Sequence, residues 1–207
     1  MKLFTFGDSF TEGYDERSPW AKKYINWKGY KPKVFSEIVS EKLNFELINY
    51  GVGGSDNYTI LESFFKHYKE IDKDDFIVIN WSSTERFRLV TKSEKWISMI
   101  PNFKNILNDL DITEKTIEEI FINRMSSKYV EEVNQWINYL NLTNEKIIQW
   151  TPFGNNLKCH FLNHYERITN ETQNELIDGH FSEKGQTQLA EDIIRIIKEG
   201  PKQKKLI

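Results

Sequence analysis

The chain has 207 residues, a formal net charge of −3 and one cysteine. Its 39% hydrophobic and 29% charged fractions exclude a disordered chain, and its length suits one α/β unit with a sizeable core. The slight negative charge offers nothing to nucleic acid or an anionic membrane, the lone Cys159 excludes an intramolecular disulfide, and no apolar run approaches the roughly 18 residues of a membrane span.

In chain order, Lys2–Phe6 is apolar at Leu3, Phe4 and Phe6 and reads as a strand that stops at Gly7-Asp8-Ser9. The absence of a basic segment, apolar run and cleavage site before it predicts a chain without a signal peptide, cytoplasmic by default. A serine just past a buried strand, at the mouth of a helix, sits where a nucleophile belongs, although the same tripeptide also suits an ordinary Ser or Asp cap. Next come Tyr14, Trp20, Tyr24, Trp27 and Tyr30, mixed with Lys22, Lys23 and Lys28. These rings suit either a cleft for sugars or acyl chains, or the packing of a cap onto the body.

Helices are predicted over Pro32–Leu43, Asn57–Glu70, Ser126–Leu140 and Ser182–Lys198, and further strands over Phe45–Tyr50, Phe76–Asn80 and Lys146–Trp150. His67 falls on the surface of the second of these helices. The stretch from Thr84 to about Met125 exceeds a simple crossover and reads as an inserted cap within one domain spanning 1–207. Cys159, His160 and His164 resemble metal ligands only in type; with no fourth candidate nearby they read as incidental, and no metal or other cofactor is expected. The tail Gly200-Pro201-Lys202-Gln203-Lys204-Lys205 reads as a helix stop and a frayed basic end. Alternation of strand and helix predicts a parallel sheet with helices on both faces, and puts Ser9, Gly54 and Thr84 on one sheet edge.

A serine hydroxyl needs a base, and histidine, oriented by a carboxylate on its other ring nitrogen, is the side chain suited to neutral pH. Asp178-Gly179-His180 lies just before the last helix, whose N-cap is Ser182. Together with Gly7-Asp8-Ser9, with Asn49-Tyr50-Gly51-Val52-Gly53-Gly54 and with Gly185, this segment resembles the motifs of the GDSL or SGNH hydrolase superfamily, from Met1 to about Lys198. The resemblance implies a three-layer α/β/α sandwich with a mostly parallel, flavodoxin-like sheet. It implies Ser9 as nucleophile, His180 as base and Asp178 as its orienter. The Ser9 and Gly54 N–H groups would be oxyanion donors. From their places at the ends of the first and third strands, and not from the resemblance, Asp8, Trp81 and Arg86 are expected beside the substrate.

Two departures stand out. The family has a Gly-x-Asn-Asp turn after the third strand, and its Asn helps bind the oxyanion; here that turn is Asn80-Trp81-Ser82-Ser83-Thr84-Glu85-Arg86, and alignment on the strand makes Thr84 the third donor, with Ser82 next. The acid also stands two residues before the histidine where three is usual, with Ile177 at the usual position, so the site is either a triad or a Ser–His dyad oriented by a backbone carbonyl. Arg86 could meet an anionic substrate, but an ion pair with Glu85 or another nearby acid is the commoner use. The favoured expectation is an esterase acting on a short acyl ester, such as an O-acetyl group on a carbohydrate. An acyltransferase using the same site and a non-catalytic glycan-binding module on the same fold are the alternatives. The expected partner is a small-molecule or glycan ester, with no nucleic acid and no membrane.

Overall fold

A computed structural model describes residues 1–90, 96–99, 119, 127–143, 146–154 and 156–200. In chain order the elements are β1 (Lys2–Gly7), α1 (Ser9–Glu12), α2 (Pro19–Lys28), α3 (Phe35–Leu43), β2 (Glu46–Gly51), α4 (Asn57–His67), β3 (Phe76–Asn80), β4 (Phe87–Val90), β5 (Trp96–Met99), α5 (Ser127–Thr143), β6 (Ile147–Thr151), β7 (His160–Phe161), α6 (Ile168–Glu171) and α7 (Glu183–Glu199). Among the described residues the main sheet has five strands in the order β2-β1-β3-β6-β7, all parallel. This is the three-layer α/β/α architecture.

β1 lies inside the sheet between β2 and β3, and Leu3, Phe4, Thr5 and Phe6 are all 0% exposed, as expected of a parallel strand covered on both faces. Side chains alternate across the sheet. Leu3, Val78, Ile148 and Trp150 meet Phe35 and Val39 of α3 and Leu189 and Ile193 of α7. Phe4, Phe6, Ile77 and Ile79 meet Ile60 and Phe64 of α4 and Val133, Ile137 and Leu140 of α5. Because β1 and β3 are neighbours running the same way, the chain leaves both at one sheet edge, and the site is built there.

α2, α6, β4, β5 and β7 were not expected from the sequence. α2 occupies the aromatic stretch after the first strand: Pro19 opens it, and Gly29, with φ of 77°, closes it in the left-handed region. Its Ala21 and Tyr24 form a third cluster with Tyr14, Val34 and Ile168, so Tyr14 and Tyr24 are core rings and not cleft rings. α6 and β7 hold too few residues to show any period. α3 begins at Phe35, three residues later than expected, after the extended Val34. Within the stretch expected to form a cap, β4 and β5 pair as a separate antiparallel two-stranded sheet, and most of the remainder lies outside the described residues. No described helix is long and apolar enough to cross a membrane.

Candidate active site

The turn after β1 is held by Asp8. Its Oδ1 accepts the Phe10 N–H at 3.1 Å and caps α1, so the helix begins at Ser9. Its Oδ2 accepts the Ser82 hydroxyl at 2.8 Å and pairs with Arg86 Nη1 at 3.1 Å. Asp8 is 0% exposed, which corrects its expected place beside the substrate: it is an internal anchor that ties the ends of β1 and β3 together. Arg86 joins the same anchor: its Nη1 bonds Asp8 and the Ser55 carbonyl (3.3 Å), so its ion-pair partner is Asp8, not Glu85.

Ser9 Oγ lies 2.8 Å from His180 Nε2, and His180 Nδ1 lies 2.7 Å from Asp178 Oδ1. The two-residue spacing is sufficient because Asp178 Oδ1 also accepts the His180 backbone N–H at 2.8 Å, closing the segment into a tight turn around the carboxylate. Burial opposes ionisation of Asp178, but the hydrogen bonds and charge of His180 outweigh it and hold the carboxyl below its ordinary range. The imidazole is flanked by Trp20, stacked at 3.8 Å and 5°, and by Phe10 at 5.0 Å.

The acid–base turn is splinted by α6 and the residue before it. Thr169 Oγ1 donates to the Asp178 carbonyl and accepts the Asp178 N–H, both at 2.7 Å. The Ile168 N–H donates to the His180 carbonyl at 3.0 Å, and Arg167 Nη1 to the Gly179 carbonyl at 2.6 Å. Sequence reasoning missed Arg167, Ile168 and Thr169; they stand about ten residues upstream in a one-turn helix that leaves no periodic signal.

The glycine segment follows β2 as a turn. The Ser55 N–H donates to the Val52 carbonyl at 3.2 Å, with Gly53 and Gly54 between them. Gly54 has φ of 81°, which suits the third position of a type II turn, and a Cβ there would meet nothing within 4 Å, so this side of the turn is open. The Ser9 N–H lies in the first turn of α1, where backbone N–H groups have no partner within the helix.

The third-strand turn brings the other corrections. Trp81 is 0% exposed and its indole donates to Gln149 Oε1 at 2.8 Å, so it packs the core and presents no surface to the cleft where it was expected. Ser82 is committed twice over: its hydroxyl donates to Asp8, and its N–H donates to Asn57 Oδ1 at 2.7 Å. Asn57 returns a bond to the Ser82 carbonyl at 3.2 Å; it is a buried brace that no motif signalled. Thr84 is buried in the same turn.

The remaining histidines and the thiol stand apart from this constellation. His67 is packed more closely than a surface residue would be: its ring stacks on Tyr50 at 3.8 Å and its Nδ1 bonds Glu70 at 2.7 Å. Burial pushes the Cys159 thiol up to about 12. His164 faces Asp192 at 3.8 Å. Among the described residues no group of three or more His, Cys, Asp or Glu is placed to hold a metal.

A family model described as GDSL-like lipase/acylhydrolase matches residues 3–193. Among solved structures, a member of the lipolytic G-D-S-L family from Veillonella parvula DSM 2008 is similar at 15% identity and a TM-score of 0.46, covering 96% of this chain and 98% of that one. A carbohydrate esterase is similar at 11% identity and a TM-score of 0.48, covering 97% and 69%. A variant of an acetyl-xylooligosaccharide esterase from Geobacillus stearothermophilus is similar at 13% identity and a TM-score of 0.37, covering 96% and 71%. Comparison with curated proteins found no match.

Proposed function

The chain belongs to the GDSL-like lipase/acylhydrolase family, a family of ester hydrolases, and we propose that it is a serine esterase that removes a short acyl group, most simply O-acetyl, from a carbohydrate. The observation that carries this reading is the unbroken line of contacts from Ser9 Oγ to His180 Nε2 (2.8 Å) and from His180 Nδ1 to Asp178 Oδ1 (2.7 Å).

In this reading Ser9 Oγ attacks the ester carbonyl while His180 Nε2 takes its proton, and Asp178 stabilises the imidazolium and holds the productive tautomer. The negative charge that develops on the carbonyl oxygen meets the Ser9 and Gly54 N–H groups and the Thr84 hydroxyl. Collapse breaks the ester C–O bond, His180 returns its proton to the leaving alcohol, and Ser9 retains the acyl group. Water, deprotonated by His180, then releases the acid. Ser9 is only 6% exposed, which favours a small acyl group over a long chain. The ring of Trp20 beside His180 offers an apolar surface of the kind sugars pack on.

A serine-reactive fluorophosphonate probe, followed by a panel of acetylated sugars and p-nitrophenyl esters, tests this. Labelling and acetate release are expected from the wild type and not from Ser9→Ala. Equal labelling of both proteins would remove Ser9 from its role. Transfer of the acyl group to an added sugar in preference to water would make the protein an acyltransferase.

A further inference from the structure

Glu12 closes α1, one turn after Ser9, and residues three apart in a helix are surface neighbours. Its carboxyl lies against the glycine turn: a Cβ built on Gly53 would come within 2.5 Å of Glu12 Oε2. That oxygen is buried and makes no hydrogen bond of good geometry, the Gly53 N–H being the backbone donor that acts on the carboxyl. A buried carboxylate oxygen without a full set of partners is destabilising. The place it occupies is specific. The Gly53–Gly54 turn is open on the side of Gly54, where the oxyanion would sit, and rests on Glu12 on the side of Gly53.

Three charged groups act on this carboxyl besides the Gly53 N–H. Asp15 opposes its ionisation, while Arg17, itself paired with Asp15, and His180 favour it. Burial dominates and raises the Glu12 carboxyl above its ordinary value. The Glu12 carboxyl therefore meets the Gly53 peptide from inside the protein.

Resting on the serine-esterase reading, we infer that Glu12 is a positioning residue of the oxyanion turn: its carboxylate backs the Gly53 peptide so that the Gly54 N–H is presented to the developing oxyanion. It contacts no reacting atom. The missing Cβ of Gly53 is what admits the carboxylate. Gly53 is not in the left-handed region, so alanine is conformationally allowed there and acts chiefly by displacing Glu12.

The experiment compares Glu12→Gln, Glu12→Ala, Gly53→Ala and the double variant Glu12→Ala/Gly53→Ala with the wild type. Kinetics are read on p-nitrophenyl acetate, and the melting temperature and the rate of fluorophosphonate labelling are followed in every protein. Glu12→Ala is expected to lower kcat by about tenfold or more with KM within about twofold, short of the ~10²–10³ loss of a direct oxyanion donor. Gly53→Ala should do the same, the double variant should be no worse than the weaker single variant, and Glu12→Gln should restore part of the loss. A residue that only stabilised the fold would lower the melting temperature and leave kcat and the labelling rate unmoved. Wild-type kcat in Glu12→Ala or additive losses in the double variant would each overturn the inference. A wild type inactive on every ester would instead overturn the esterase reading, and the labelling rate would still decide whether Glu12 acts on the oxyanion turn.

Discussion

Trp20 lies flat against His180, with ring centroids 3.8 Å apart and planes 5° from parallel. With Phe10 at 5.0 Å and both ring nitrogens bonded, the imidazole has no room to turn. The indole face is electron-rich and favours the imidazolium that forms during turnover; such contacts are worth about 0.5–2 kcal/mol, or about twofold to thirtyfold in rate. Trp20→Ala is expected to lower kcat within that range, with Trp20→Phe closer to wild type. Steady-state kinetics check this, and an unchanged kcat in Trp20→Ala would reduce the stack to packing.

Ser9→Ala tests the nucleophile. The hydroxyl is removed at the start of a capped helix whose cap, Asp8, is untouched. Turnover should fall by up to about 10⁶, the loss seen when a nucleophile is deleted from such a unit, with the melting temperature nearly unchanged. Turnover near wild type would exclude Ser9.

Asp178→Asn separates a triad from a dyad. The ring of His180 is oriented by Asp178 Oδ1 at 2.7 Å, and an amide there favours the wrong tautomer. A fall in kcat approaching ~10⁴ is expected; a change within about threefold would make the site a dyad.

The same carboxyl predicts a pH dependence of stability. Its folded value lies below its ordinary one, despite burial, because His180 bonds the ionised form. The stabilisation is therefore present above the unfolded carboxyl value of about 3.9 and is lost as pH falls through the folded value. Urea midpoints of wild type and Asp178→Asn should differ most above about pH 5 and converge on acidification. A constant difference would assign the effect to packing.

Thr84→Val tests the third oxyanion donor. A loss of at least about tenfold in kcat with little change in KM is expected, the pattern of a contact made mainly in the transition state. Equal kinetics would move the role to another group, and Ser82 would be a poor candidate because its hydroxyl and its N–H are both engaged.

Much of the fold was legible because its signals are local. The apolar run of Leu3, Phe4 and Phe6 marks a strand buried on both faces, and Leu189, Ala190, Ile193 and Ile194 mark one face of a helix. Ser182 could be read as the N-cap of that helix, and its hydroxyl does accept the Gly185 N–H, at 3.2 Å. α2 was hidden because its buried residues, Ala21 and Tyr24, stand among charged and exposed neighbours.

The sequence by itself determined which residues could act: a serine after a strand, a histidine before a helix, an acid two residues upstream and glycines where a turn must be tight. Only the tertiary structure decided how they are held, since a hydrogen bond between residues 171 positions apart leaves no trace in local composition. The same holds for the polar residues around the site. Asp8 and Trp81 looked available to a substrate because their residue types allow it, yet each satisfies its polar groups inside the protein, on Ser82 and Gln149 among others, and Arg86 commits Nη1 to Asp8 and Ser55. Burial favours an internal partner for such groups, and which partner is within reach is set by the packing of distant segments, not by neighbours in the chain.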